Sequence, residues 1–223
     1  MKPRILLAEA RTPDGGCLIL YEHDGRASLS LDGRELMHSG ACASEILLGK
    51  LGLERVQPGS AARVLVGGLG LGYTLRSVLD SSGPEVRVDV LELIPEVLDW
   101  NRGLLGRWNG DALGDERVTA LAGDVRQHIG SATRGTYAAI LLDIDNGPVA
   151  MVAKENASLY SRKGIRAVHD ALAPGGRAVL WSAGPDNAFK KRLLDAGFTV
   201  RALPAKVHER AKRAAYLLYV ADK

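Results

Sequence analysis

Between Arg63 and Trp181 short apolar runs alternate with amphipathic stretches, and this alternation constrains the chain more than any other feature. The runs Val64 to Val66, Val86 to Glu92, Val118 to Leu121, Ala138 to Asp143 and Ala178 to Trp181 read as largely continuous apolar strands rather than half-solvated ones. Such strands are buried on both faces, which calls for a parallel sheet with helices above and below it. The stretches near 73–81, 95–106, 125–131, 157–172 and 186–196 predict those helices. Two closing segments, Phe198 to Leu203 and Ala214 to Ala221, have no helix between them, so they are expected to pair antiparallel as a hairpin.

The region before Arg63 has a different texture. Ile5 to Ala8, Cys17 to Tyr21, Ala27 to Leu31 and Glu35 to His38 read as strands, punctuated by Asp14-Gly15-Gly16, Asp24-Gly25 and Asp32-Gly33. This predicts a small β-hairpin cap, followed by a helix from Cys42 to Leu51 and a break at Gln57-Pro58-Gly59-Ser60. The division is therefore 1–58 for the cap with its helix and 59–223 for the catalytic unit.

A chain of 223 residues with 46% hydrophobic and 25% charged residues is an ordinary globular protein. No run reaches the roughly 18 to 20 apolar residues of a membrane span, and the segment after Met1-Lys2-Pro3-Arg4 is too short for a signal-peptide core. A cytoplasmic protein with no membrane partner is expected. Cys17 and Cys42 lack a metal or redox spacing and are expected to be buried thiols, with no metal site. A net charge of +3 is too small to point to nucleic acid. Arg201, Lys206, His208, Arg210, Lys212 and Arg213 read as a solvated loop that biases a substrate toward a neutral or acidic molecule.

Chemistry enters at Gly68-Leu69-Gly70-Leu71-Gly72, between an apolar strand and a helix. Without Cβ atoms such a turn can adopt positive φ and bring backbone N–H groups close to a ligand at the helix N-terminus. Glu92 ends the second strand, where a carboxylate can accept both ribose hydroxyls of an adenosine. Asp124 could accept from an adenine amino group and Val125 could donate its N–H to the ring, although Asp124 serves equally well as a helix cap. The stretch Leu141-Leu142-Asp143-Ile144-Asp145-Asn146-Gly147-Pro148 carries an apolar strand into a polar cluster at the carboxyl edge of the sheet. Asp143 is the catalytic candidate because it still belongs to the buried strand, and Asp145 and Asn146 are candidates to position an acceptor. His38, His169 and the three tryptophans read as packing, with Trp181 ending a strand near the cleft.

These residues together resemble the spermidine synthase-like (polyamine aminopropyltransferase-like) branch of the class I S-adenosylmethionine-dependent methyltransferases, over roughly residues 31 to 185. Leu31-Asp32-Gly33 and Glu45-Ile46-Leu47 match the approach to that family's core. The resemblance implies a Rossmann-like α/β fold, with a mostly parallel seven-stranded sheet, an antiparallel last strand and a small N-terminal β-hairpin region. It implies that Gly68, Gly70, Gly72, Glu92 and Asp124 hold the nucleoside of S-adenosylmethionine or its decarboxylated form. It also implies that Asp143 orients or deprotonates a small-molecule amine, with a homodimer left open.

Two positions depart from that family: Leu71 stands where it has an aspartate, and Ser44 stands where it has a histidine. The missing aspartate removes a charge that would repel the intact amino-acid end of the cofactor, so methyl transfer is the first expectation and aminopropyl transfer to a diamine the alternative. Val66 in turn replaces the acidic residue that usually opens a methyltransferase turn. An NAD-dependent oxidoreductase is a more distant alternative, and Tyr160-Ser161-Arg162-Lys163 has its lysine at the wrong spacing for hydride chemistry. A non-catalytic nucleoside-binding protein is the last.

Overall fold

The structure is a computed structural model and describes residues 3–144 and 154–223. Among these residues the chain forms two sheets. The first is antiparallel and follows chain order: β1 (Ile5–Arg11), β2 (Cys17–His23), β3 (Arg26–Leu31) and β4 (Arg34–His38). Two of its turns are Asp-Gly pairs with positive φ at both residues, which matches the right-handed twist of the strands they join. Leu18, Leu20, Ala27, Leu29 and Leu31 are buried beneath this sheet, so the cap has an apolar face packed on the rest of the molecule.

Helix α1 (Ala43–Leu53) follows and packs closely on α2 (Tyr73–Ser81). A Cβ on Gly49 would sit 2.5 Å from that of Ser77, and Ser77 Oγ donates to the Ile46 carbonyl at 2.7 Å. The far end of α1 is tied down by Arg177, which is 4% exposed. Its guanidinium donates to Glu54 at 2.6 Å, to the Leu51 carbonyl at 2.9 Å and to Asp222 at 2.6 Å.

The second sheet contains β5 (Arg63–Gly67), β6 (Arg87–Glu92), β7 (Val118–Ala122), β8 (Tyr137–Leu142), β9 (Leu172–Ser182), β10 (Thr199–Ala205) and β11 (Tyr216–Asp222). Its order is β10-β11-β9-β8-β5-β6-β7. Strand β11 is inserted antiparallel between β9 and β10, and the other neighbouring pairs are parallel. The remaining helices are α3 (Pro95–Gly103), α4 (Gly106–Asn109), α5 (Val125–Ser131), α6 (Arg162–Ala171) and α7 (Asn187–Asp195). Successive side chains of the central strands enter opposite layers. Val64, Val66 and Leu141 join one core cluster, whereas Leu65, Ile140 and Leu142 join the other. Double-sided burial is why these strands carry few polar residues.

The structure adjusts several boundaries. The helix expected over 95–106 is split, with α3 ending at Gly103 and a single turn, α4, following it. The helix expected from 157 starts at Arg162, because Ser161 Oγ accepts the Gly164 N–H at 3.1 Å and sets the first turn there. A 3-10 segment, Lys154–Tyr160, precedes it. Both cysteines are free, and each is half-buried rather than buried, because Cys17 lies at the end of β2 next to a turn and Cys42 precedes α1. No helix among the described residues is long and apolar enough to cross a membrane.

Candidate active site

From β5 the chain proceeds to β6 and β7 on one side, then returns to place β8 on the other. A crevice lies at the carboxyl ends of these strands. A cleft of about 320 Å3 occupies it, roofed by β4 of the first sheet and bordered by α1.

The glycine turn forms one wall. Gly68, Gly70 and Gly72 have φ of +88°, +51° and +86°, a region open to glycine but costly for other residues. Only Gly68 and Gly70 border the cleft; Gly72 caps α2 from behind. Met37 of β4 packs over Gly70, where an added Cβ would lie 2.8 Å from its Sδ. Two buried amides brace the turn from the protein side. Asn101 donates to the Gly70 carbonyl at 2.9 Å, and Asn109 donates to the Leu71 carbonyl at 3.2 Å and to Asn101 Oδ1 at 2.7 Å. The turn's own N–H groups are held as well: Gly68 donates to the Leu91 carbonyl at 2.9 Å and Gly72 to the Leu69 carbonyl at 2.8 Å.

Glu92 joins the glycine turn to the next strand. It is 8% exposed; Oε2 accepts the Leu69 N–H at 2.9 Å and Oε1 the Ile94 N–H at 3.0 Å. Burial pushes its carboxyl above the ordinary range, and these backbone donors oppose the shift. The residue borders the cleft beside Gly68 and Gly70. Asp124 also borders the cleft, where it caps α5 by accepting the Arg126 N–H at 2.8 Å. Its carboxylate is also clasped by the Arg126 guanidinium. Val125, the first residue of α5, forms the adjoining apolar wall.

Asp143 lies at the opposite wall, directly after β8. Its backbone N–H continues the sheet to the Gly67 carbonyl at 2.9 Å, and its carboxylate accepts the Thr74 hydroxyl at 2.7 Å. Thr74 is 1% exposed in the first turn of α2, so the carboxylate is fixed from beneath. Glu45, in the first turn of α1, borders the same cleft and accepts the Ser44 hydroxyl at 2.5 Å. Burial and the charge of Asp143 raise the Glu45 carboxyl well above its usual range. Burial likewise raises Asp143, opposed by the Thr74 hydrogen bond. Two carboxyl groups in one poorly hydrated cleft resist carrying two negative charges together.

The sequence reading named Glu45 only through its family match, and its partnership with Asp143 was not legible. Leu71 requires a correction. It packs in the core at 3% exposure instead of facing the cleft, because the glycines on either side turn its side chain inward. Leu71 therefore gives no ground for preferring methyl over aminopropyl transfer. Asp145 and Asn146 lie outside the described residues. His38 borders the cleft; His169 instead packs on Phe198, with ring centroids 5.0 Å apart. Trp181 borders the cleft beside Tyr216, with ring centroids 4.7 Å apart.

A seven-stranded sheet with an antiparallel penultimate position, a glycine turn after its first strand and an acidic residue ending its second defines the class I methyltransferase fold. No family model matches the chain. Polyamine aminopropyltransferase 2 of Hyperthermus butylicus is 32% identical over 127 residues, which is 55% of this chain and 39% of that protein. Putrescine N-methyltransferase 1 of Nicotiana tabacum is 33% identical over 114 residues, 51% of this chain and 28% of that protein. The chain thus matches well under half the length of these curated relatives. A spermidine synthase crystallised with the transition-state analogue AdoDATO superposes with a TM-score of 0.77 at 19% identity, covering 98% of this chain and 74% of that one. The spermidine synthase of Thermotoga maritima gives 0.74 at 17% identity, covering 98% and 72%. The chain resembles polyamine aminopropyltransferases in sequence over about half its length and spermidine synthases in fold over nearly all of it.

Proposed function

We propose that this chain transfers an alkyl group from an adenosyl sulfonium to an amine, with aminopropyl transfer from decarboxylated S-adenosylmethionine to a diamine-type acceptor as the leading reaction. One observation carries the reading: a single cleft joins the glycine turn and Glu92 on one wall to Asp143 and Glu45 on the other. The two polyamine aminopropyltransferases among the relatives, from Hyperthermus butylicus and Aeropyrum pernix, favour the aminopropyl form. The putrescine N-methyltransferases support methyl transfer as the second form.

The residues fit an adenosyl group, since Gly68, Gly70 and Glu92 border one face of the cleft beside the apolar side chains Leu93, Ile94, Val97 and Val125. When bound, the sulfonium supplies an electrophilic carbon with a neutral thioether as leaving group. The task left to the protein is alignment, exclusion of water and an amine with a free lone pair. An alkylammonium has an ordinary pKa of about 10.4, so it must give up a proton before it can attack. Asp143, held by Thr74 and electrostatically coupled to Glu45, would orient the ammonium and take its proton.

The test is mass analysis of products. Purified protein is given each sulfonium in turn with a panel of diamines, with and without a carboxylate. An added aminopropyl group supports the leading form and an added methyl the second. No transfer from either donor would remove the proposal.

A further inference from the structure

Beside the cleft lies a second recess of about 150 Å3 on the outer part of the first sheet. Its wall contains Arg4, His23, Arg26 and His38, and two of its residues, Glu35 and His38, also border the cleft. We infer that this recess is an anion subsite, which receives a carboxylate or phosphate group carried by the acceptor while its amine lies at Asp143. The inference rests on the proposed amine acceptor and narrows its chemical class.

The charge pattern makes the case. Among the described residues neither Arg4 nor Arg26 forms an ion pair with a carboxylate, although both line a polar recess. The Arg4 guanidinium rests 4.8 Å from the centre of the Tyr21 ring, an arrangement that holds it in place while leaving its N–H groups available. Gly40 marks the approach of Arg26 to His38. Arg26 Nε and His38 Nδ1 each lie 3.2 Å from the point a Gly40 Cβ would occupy. The Gly40 N–H donates to His38 Nδ1 at 3.1 Å, so a neutral His38 carries its proton on Nε2 and offers it as a donor. The carboxylate in the recess, Glu35, is exposed and accepts the Tyr21 hydroxyl at 3.0 Å. One carboxylate against two guanidinium groups leaves the recess net positive.

The same sign continues around the mouth. The loop between β10 and β11 carries exposed Lys206, Arg210, Lys212 and Arg213 against one acid, Glu209, and its Val207 borders the cleft. Val207 accepts the Ala43 N–H at 3.3 Å, which fixes the loop against the start of α1. A second ammonium group placed in the recess would be repelled, whereas a carboxylate or phosphate would gain charge-assisted hydrogen bonds from arginine; the acceptor's amines belong in the cleft, which is lined by Glu35, Glu45, Glu92, Asp124 and Asp143.

Binding calorimetry in the presence of S-adenosylhomocysteine tests this with three probes. These are 1,4-diaminobutane, 2,5-diaminopentanoate, which adds only a carboxylate, and 4-aminobutyl phosphate. The wild type should bind one of the anionic amines about tenfold or more tightly than 1,4-diaminobutane, and the winner tells carboxylate from phosphate. Arg26→Ala and Arg4→Ala, both at exposed positions, should erase that preference and leave S-adenosylhomocysteine affinity unchanged. Equal or tighter binding of 1,4-diaminobutane overturns the inference. So does a preference that survives both substitutions, or no binding of any amine. Failure of S-adenosylhomocysteine to bind counts against the proposed function alone, since the amine preference can also be read without it.

Discussion

The backbone of Gly68 lies against that of Asp143: a Cβ on residue 68 would sit 2.2 Å from the Asp143 carbonyl oxygen. The turn that would cradle a nucleoside thus touches the backbone of the residue whose carboxylate would meet an amine. Gly68→Ala must move one of them, and it also forces alanine to φ near +88°. Its expected effect is a destabilisation of about 2 kcal/mol or more, with turnover lost even in the protein that folds. Thermal unfolding and activity at a permissive temperature check both parts, and a near-normal rate would show that the contact is unimportant.

The Asp143 and Glu45 pair gives a pH dependence of defined sign. Both carboxyl groups titrate above the ordinary value of about 4, through burial and, for Glu45, also through the charge of Asp143. Between the ordinary and the raised pKa the folded state holds more protons than the unfolded chain, so stability falls as pH rises through that window. Activity should move the other way, because a protonated Asp143 cannot accept a proton. Asp143→Asn should therefore abolish turnover while raising the melting temperature at pH 8. A lower melting temperature for this variant at pH 8 would contradict the assignment of a strained, desolvated carboxylate.

Glu92→Gln keeps the size of the side chain but replaces one acceptor oxygen with an amide donor. Either the Leu69 or the Ile94 N–H then loses its partner. A loss of about 1–3 kcal/mol in stability is expected, together with at least tenfold weaker adenosyl binding. Calorimetric titration with S-adenosylhomocysteine provides the measurement. Full affinity would exclude Glu92 from the nucleoside site.

Asn101→Leu removes the amide that holds the Gly70 carbonyl and leaves Asn109 with only the longer bond to the Leu71 carbonyl. Stability should fall by about 1–3 kcal/mol, and adenosyl affinity should fall by more than thermal destabilisation accounts for, because the turn is no longer braced. Affinity measured well below the melting temperature separates the two effects. An unchanged value would make the amide pair purely structural.

What could be seen from the sequence followed local pattern. Apolar runs such as Val64 to Val66 and Leu141-Leu142 report their own burial, and a glycine turn reports its own conformation. The antiparallel closing strands were legible for the same reason, since no helix separates Phe198 from Tyr219. Relations across the fold were not. Glu45 meets Asp143 only because α1 begins above the end of β8, and nothing within its own segment reports that. Asn101 and Asn109 look like surface amides of a helix and its following turn until the glycine loop is laid over them. Leu71 was misread because a pattern of residues carries no information on which way a side chain leaves a turn flanked by positive-φ glycines. Arg4, Arg26 and His38 fell on three different strands or turns, so their convergence depends on the register of the first sheet.

The placement of two tryptophans gives the molecule its own optical readout. Trp181 stands in the cleft against Tyr216, so its emission should respond when that space is filled. Trp108 donates its indole N–H to the Gly25 carbonyl at 2.9 Å, while neighbouring Arg107 pairs with Glu22, so it spans the junction between the two sheets. Single-tryptophan versions would separate these signals, one following occupancy and the other the seating of the roof, without any attached dye.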